Sequence, residues 1–313
     1  MPKNILLRKN DLHDSEIIFL AGDASFRKYY RVKKTEDGCS LTYVLMDAPP
    51  DKEDIKPFLH IARHLNIKNL SPPKIIDYDL DNGLILMEDL QDDLYNSVLT
   101  DDNEEMLYEH AIDVLVHLFD AGAEFAGVPH YTDELFLQEL ELFTDWYLDD
   151  ITPQKKDEFL DLWRGILPLA REVPECLVLR DYHADNLLWL PEREGVKKVG
   201  LLDFQDAVIG SVTYDIASLL EDARRDVSPE IADKMIARYL SATKLDKEKF
   251  MTSYAIMAAQ RNIKIVGIFN RLAKRDDKPQ YLDYLPRVFA YLNKDLEHPV
   301  LAEVKKWISE HTP

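Results

Sequence analysis

Between Glu16 and Met46 the apolar residues come in short runs separated by turn-forming residues. Ile17-Ile18-Phe19-Leu20 is followed by Gly22-Asp23-Ala24-Ser25, then by Phe26 to Val32, a polar loop around Asp37-Gly38, and Leu41 to Met46. This predicts three antiparallel strands. After Pro49-Pro50 the spacing becomes helical, with Ile55, Phe58, Leu59, Ala62 and Leu65 on one stripe. Asp51, Glu53 and Asp54 precede it, where a helix N-terminus favours negative charge. Ile75-Ile76-Asp77-Tyr78 and Leu84 to Met87, around Asp81-Asn82-Gly83, predict a hairpin. From Asn103 onward Leu107, Ala111, Val114, Leu115 and Leu118 form an amphipathic stripe, and a second helical region runs from Thr132 to Leu148. The exception is a strand pair, Leu187 to Leu190 and Lys198 to Leu202, around Pro191-Glu192-Arg193-Glu194-Gly195. The expectation is an α+β chain of two lobes: a small antiparallel-sheet lobe over residues 1–87 and a larger, mainly helical lobe over 88–313.

Composition supports burial on that scale, since the 313 residues are 46% hydrophobic. The 38 Lys and Arg stand against 58 Asp and Glu, for a formal charge of -20, which repels phosphate backbones and anionic lipid. Nucleic acid and membrane are therefore not expected partners. Cys39 and Cys176 fall in different expected lobes, so neither a disulfide framework nor a cysteine zinc site is expected and a reducing cytoplasm fits. Met1 to Asn10 lacks the apolar core of a signal peptide, and no apolar run approaches the roughly 20 residues that span a bilayer. His60 and His64 share a helix face, but Ile61 stands where a zinc protease needs its glutamate.

The chemistry concentrates in Leu179-Arg180-Asp181-Tyr182-His183-Ala184-Asp185-Asn186 and, after the strand pair, Gly200-Leu201-Leu202-Asp203-Phe204-Gln205-Asp206. An antiparallel hairpin places Asn186 at its entrance and Asp203 at its exit side by side, giving two oxygen ligands. Magnesium takes such ligands, with waters and substrate phosphates completing its octahedron. Asp181, five residues before Asn186, is expected within reach of them. Phosphoryl transfer needs the triphosphate neutralised, the acceptor oxygen aligned and its proton removed. Asp203 and Asn186 suit the metal, and Asp181 suits the base.

The D-x-x-x-x-N and D-F-x arrangement of Asp181, Asn186 and Asp203-Phe204 resembles the catalytic loop and metal aspartate of protein kinases and of the aminoglycoside phosphotransferase and choline kinase superfamily. The resemblance implies a two-lobed protein-kinase-like fold using ATP and Mg2+. Tyr214-Asp215 ends only twelve positions after Asp203 and a helical pattern resumes at once, leaving no room for a protein kinase's activation segment. A small-molecule acceptor is therefore expected, with Asp215 tying the catalytic loop to the next helix. Gly22 to Arg31, Met46-Asp47-Ala48-Pro49-Pro50, Glu141 to Tyr147 and Asp203 to Ala207 are similar to segments of the bacterial anomeric N-acetylmuramate and N-acetylglucosamine kinases of cell-wall recycling. That likeness runs from about Ile17 to Arg225 and implies a sugar acceptor.

Under this resemblance the turn Gly22, Asp23, Ala24 and Ser25 would cover the phosphates, and Met87 to Leu90, with Met87 and Asp89, would form the hinge at the adenine edge. Met46 stands where most kinases carry the phosphate-binding lysine; Arg27, Lys28 or Arg31 on the neighbouring strand are its candidate replacements. Leu179 replaces the usual histidine, with His183 nearby. Trp146, Tyr147, Tyr182 and Tyr214 are candidates to stack on a sugar, Arg180 and Arg224 to pair with a lactyl carboxylate, and Gln205 is a further acceptor candidate. Two other readings are a kinase for a cationic acceptor, with Glu221 and Asp222 near the pocket, and a nucleotide-binding pseudokinase, suggested by Met46 and Leu179.

Overall fold

The computed structural model describes residues 2–22, 26–36, 38–125 and 127–312. In chain order the elements are α1 (Pro2–Lys9), β1 (Glu16–Gly22), β2 (Lys28–Glu36), β3 (Cys39–Asp47), α2 (Lys56–Ile67), β4 (Ile75–Asp79), β5 (Leu84–Glu88), α3 (Tyr95–Val98), α4 (Glu104–Ala121), α5 (Asp133–Trp146) and α6 (Pro153–Ala170). They continue as β6 (Glu175–Val178), β7 (Leu187–Trp189), β8 (Val199–Leu201), β9 (Val208–Ser211), α7 (Tyr214–Leu220), α8 (Pro229–Thr243), α9 (Lys247–Asp276), α10 (Leu285–Asp295) and α11 (Ala302–His311).

Two compact units result, but their boundary is not the expected one after Met87. The first comprises Met1–Val98 and Asn186–Asp206, the second Leu99–Asp185 and Ala207–Pro313. The β7–β8 hairpin returns to the first unit through specific hydrogen bonds. Ser71 Oγ donates to the Lys197 carbonyl at 2.8 Å, and the Leu201 and Trp189 N–H groups donate to Ser71 and Asp93 at 2.9 and 2.8 Å. Gly200 allows the approach: a Cβ there would lie 3.2 Å from the Leu90 side chain and 3.1 Å from that of Leu188.

In the first unit the five strands run antiparallel in the order β1-β2-β3-β5-β4. Alternation sends Val32, Leu45, Leu84 and Leu86 to one face, where Leu6, Leu7 and Leu12 cover them. Lys3 and Lys9 pin α1 there through Asp47 and Asp77. The other face carries the row Ile18, Arg31, Val44 and Met87. Gly83, at φ +64°, closes the β4–β5 turn where a Cβ would lie 1.8 Å from the Ala48 carbonyl oxygen.

The second unit is built around α9, which is buried along most of its length. Phe136, Leu140, Phe143, Phe159, Trp163, Ile263, Val266 and Trp307 form part of one core. Helices α5 and α9 run in the same direction, with Glu139 beside Gln260 and Lys264, Leu142 beside Gly267, and Trp146 beside Lys274. At Gly267 a Cβ would lie 2.3 Å from the Leu142 carbonyl carbon. Gly267→Ala is therefore expected to lower the thermal midpoint. Overpacking of this kind costs about 1–3 kcal/mol, more than the ~1 kcal/mol of helix propensity that alanine returns. A midpoint that stays put or rises would show that the helices separate freely.

Candidate active site

In the first unit Leu187 pairs with Leu201 and Trp189 with Val199, and the Leu202 N–H donates to the Asn186 carbonyl at 3.0 Å. The hairpin's open end thus carries Asn186 on one arm and Asp203 just beyond the other. Asp203 has φ +54°, a left-handed conformation that non-glycine residues hold only where their surroundings impose it. Gln205 Nε2 donates to Asp203 Oδ1 at 2.8 Å and to Asp206 at 3.2 Å. Gln205, expected to meet the acceptor, instead orients the aspartate. The Asp203 side chain is 45% exposed, with Arg27 Nη1 3.8 Å from its Oδ1.

Of the cations considered beside Met46, Arg27 is the one that lies next to Asp203. Met46 is fully buried, opposite Tyr29 and Ile85. Arg27 Nη2 pairs with Glu53 Oε2 at 3.1 Å, and Phe26 N–H donates to Glu53 Oε1 at 3.3 Å. Glu53 was expected only as an acid preceding α2. Burial opposes the Arg27 charge, but Tyr29, Glu53 and Asp203 prevail and raise its pKa.

Arg31, the other candidate arginine, pairs with Asp89 at 2.6 Å and Asp92 at 2.8 Å, its side chain reaching from β2 across β3 to the segment that follows β5. The Asp89 carboxylate also accepts from the Gln91 N–H at 3.0 Å, so Asp89 can offer a base only its backbone. Met87 is buried, on the same sheet face as Ile18, which is 41% exposed. Of the expected phosphate turn, Gly22 ends β1 opposite Lys28, and Asp23, Ala24 and Ser25 lie outside the described residues.

In the second unit Asp181 is exposed and its neighbour is held from three sides. Leu179 and Arg180 N–H donate to the two oxygens of Asp215 at 2.6 and 2.9 Å, and Ser218 Oγ donates to the Arg180 carbonyl at 3.2 Å. The Arg180 guanidinium pairs with Glu139. These restraints hold Arg180 at φ +71°. Asp215 thus ties the loop to α7 as expected. Burial pushes it up to about 7, against the pull of its two N–H donors; the donors themselves fit the ionised form.

The Glu139 contact also corrects Arg180, which was expected to meet a lactyl carboxylate. Glu139 further accepts from Tyr131 and lies 3.4 Å from Lys264 Nζ, which donates to Tyr214 Oη at 2.7 Å. Tyr214 is therefore core, as is Tyr182, 1% exposed with its hydroxyl on the Ala111 carbonyl at 2.8 Å. Neither ring can stack on a sugar. Trp146 is half-buried at the end of α5. Arg224 pairs with Asp185 at 3.3 Å and lies 3.3 Å from His183 Nε2. Glu139 and Lys264 were not foreseen. Lys264 was signalled by a charge inside the apolar run Ile263-Lys264-Ile265, whereas Glu139 looked like one more acid among many.

Glu221 and Asp222 are buried too. Asp222 accepts from the Ala184 and Arg224 N–H groups at 3.3 and 2.9 Å. Glu221 and Asp295 both accept from Asn262 Nδ2, at 2.8 and 3.0 Å, and Tyr254 Oη donates to Glu221 at 2.9 Å. Burial raises both carboxyls, and Glu221 raises Asp295 further, so the pair holds a proton well above the usual carboxylate range. The folded chain then binds more protons than the unfolded chain from the ordinary carboxylate pKa upward, and stability falls as pH rises through that window. Asp295→Asn is expected to flatten this slope by about one proton, ~1.4 kcal/mol per pH unit, in urea melts at about pH 6 and pH 8. Equal slopes in both proteins would show that the pair is ionised when folded.

Among the described residues no three His, Cys, Asp or Glu side chains form a metal cage. The Asn186 and Asp203 pair fits magnesium, which binds through one or two protein oxygens plus waters and substrate phosphates. No helix of the described residues is long and apolar enough to cross a membrane.

The profile of the phosphotransferase enzyme family matches residues 16–250. An N-acetylmuramate/N-acetylglucosamine kinase of Caulobacter vibrioides is 35% identical over 99% of this chain and 96% of its own length. One of Pseudomonas aeruginosa is 36% identical over 93% and 87%. Among solved structures, a choline kinase of Streptococcus pneumoniae superposes with a TM-score of 0.65 at 14% identity, over 94% of this chain and 99% of that one.

Proposed function

Because the chain belongs to the phosphotransferase enzyme family, we propose that it transfers the terminal phosphoryl group of ATP to the anomeric hydroxyl of N-acetylmuramate or N-acetylglucosamine. The observation that carries this reading is likeness along nearly the whole chain to relatives named for those two sugars.

Asp181 accepts the proton of the acceptor hydroxyl as its oxygen bonds to the γ-phosphorus and the bond to the bridging oxygen breaks, releasing ADP. An anomeric hydroxyl is more acidic than an ordinary alcohol, which suits a carboxylate base. The bonds to Asp215, Ser218 and Glu139 keep Arg180, and so the start of Asp181, in one conformation before substrate arrives. Arg27, held by Glu53, directs its charge to the phosphates, and Ile18 and Met87 offer the adenine an apolar face. Asn186 and Asp203 would hold magnesium, with Gln205 fixing the carboxylate. Magnesium when bound neutralises the triphosphate and the charge of the leaving ADP. The reaction belongs in a reducing cytoplasm, where both cysteines stay free.

A cationic acceptor loses its support, because Glu221 and Asp222 are buried and committed to partners within the unit. The pseudokinase reading rested on Met46 and Leu179; under the proposed function Arg27, 3.8 Å from Asp203, stands in for the charge missing at Met46, and the Leu179 N–H is held by Asp215. The test is magnesium-dependent ATP consumption with N-acetylmuramate, N-acetylglucosamine, an aminoglycoside and choline. Turnover with an N-acetyl sugar supports the reading; turnover only with a cation, or silence with all four, overturns it.

A further inference from the structure

The cations along the α5-facing stripe of α9 are compensated, with one exception. Lys264 has Glu139 and Tyr214, Lys274 Nζ donates to the Trp146 carbonyl at 2.9 Å, and Arg275 pairs with Asp276 at 2.8 Å. Arg271 lies between them and, among the described residues, makes no hydrogen bond or ion pair. Its Nε is buried without a partner while the residue as a whole is half-buried. In a chain of net charge -20, where most of the other arginines pair with carboxylates, a guanidinium with a buried, unpartnered Nε points to an anion from outside the chain. Burial, and after it the Arg275 charge, lower its pKa, and the Asp276 charge offsets this only in part.

The position along the helix says which anion. Arg271 follows Lys264 by seven residues, about two turns, so both side chains leave the same face roughly 10 Å apart along the axis. Lys264 lies within electrostatic reach of Asp181, the proposed base. The register of α5 on α9 brings the half-buried Trp146 to the level of residues 271–274. A base near Lys264, an aromatic ring and a bare guanidinium two turns further on match an acceptor of sugar size with its reacting hydroxyl at one end and a carboxylate at the other. Arg180 and Arg224, the other two arginines the sequence offers for this role, both have acidic partners.

We infer that Arg271 is a specificity residue that binds the carboxylate of the acceptor, so that it selects the lactyl-bearing sugar over its neutral counterpart. This rests on the function proposed above. A guanidinium holds a carboxylate through two parallel charge-assisted hydrogen bonds, whereas a sugar without the acid has no use for it.

The experiment compares the full chain with Arg271→Met and Arg271→Lys in Mg-ATP kinetics on both sugars. With Met, kcat/KM for N-acetylmuramate should fall about 10–100-fold, through KM, with the loss confined to that sugar. Lysine, keeping the charge but not the fork, should restore part of the loss. Equal loss on both sugars would assign Arg271 to packing, and no loss on N-acetylmuramate would remove it from the site. Wild-type turnover of N-acetylglucosamine alone would overturn the carboxylate subsite while leaving the sugar kinase intact, and turnover of neither would overturn both.

Discussion

Asp181→Asn should cut kcat for the sugar by about 10²–10⁴-fold, the usual contribution of a positioned general base, with KM for ATP little changed. Asparagine keeps the size of the side chain but is uncharged and cannot take the proton. The restraints around it belong to Arg180, Asp215, Ser218 and Glu139, so the variant should melt at the wild-type temperature. The sugar's affinity, read by equilibrium binding, should also persist. Wild-type kcat in this variant would show that Asp181 is not the base, whatever its place in the motif.

Arg27→Met should reduce kcat/KM for ATP by about 10²–10³-fold, the scale for removing one preorganised charge from a developing anion. A second effect follows from Glu53, which is 16% exposed and would lose its cation. Leaving it unpaired costs about 1–3 kcal/mol of stability, which Arg27→Met/Glu53→Gln should recover without recovering activity. That separation of stability from turnover distinguishes a phosphate-binding arginine from a structural one. Arg27→Lys should restore more activity than Met, since a point charge binds phosphate, though not as a fork. If Arg27→Met turns over ATP normally, another group carries the charge missing at Met46.

Those two residues show where sequence was sufficient and where it stopped. The strands of the first sheet, α2 and the β7–β8 hairpin follow from alternation and turn residues, which are local signals. Asp181, Asn186 and Asp203 were legible because their spacing around one hairpin is itself local. Helix α1 was not, because its octapeptide is short and polar and its helix depends on docking Leu6 and Leu7 against the sheet. The strands β6 and β9 have four residues each and are almost wholly buried, so no alternation marked them. The candidate ligand residues that turn out to hold other parts of the chain share one feature. Arg31, Arg180, Tyr182 and Gln205 have the right chemistry for binding a ligand, but their partners are other parts of the chain. Three of those partners, Asp89, Glu139 and Ala111, lie far away in sequence, where residue type alone cannot reveal them.

The return of Asn186–Asp206 to the first unit sets an order of events during synthesis. The first 98 residues emerge early, yet the hairpin that bonds to Ser71 and Asp93 arrives only about a hundred residues later, roughly 5–20 s at ordinary elongation rates. β1 is an edge strand with Ile17, Ile18 and Phe19 exposed even in the complete fold, and during that interval Ser71 and Asp93 in addition wait for their partners. Chaperone occupancy on the ribosome should therefore peak before Asp206 emerges, and a fragment ending at Val98 should aggregate more readily than the complete chain.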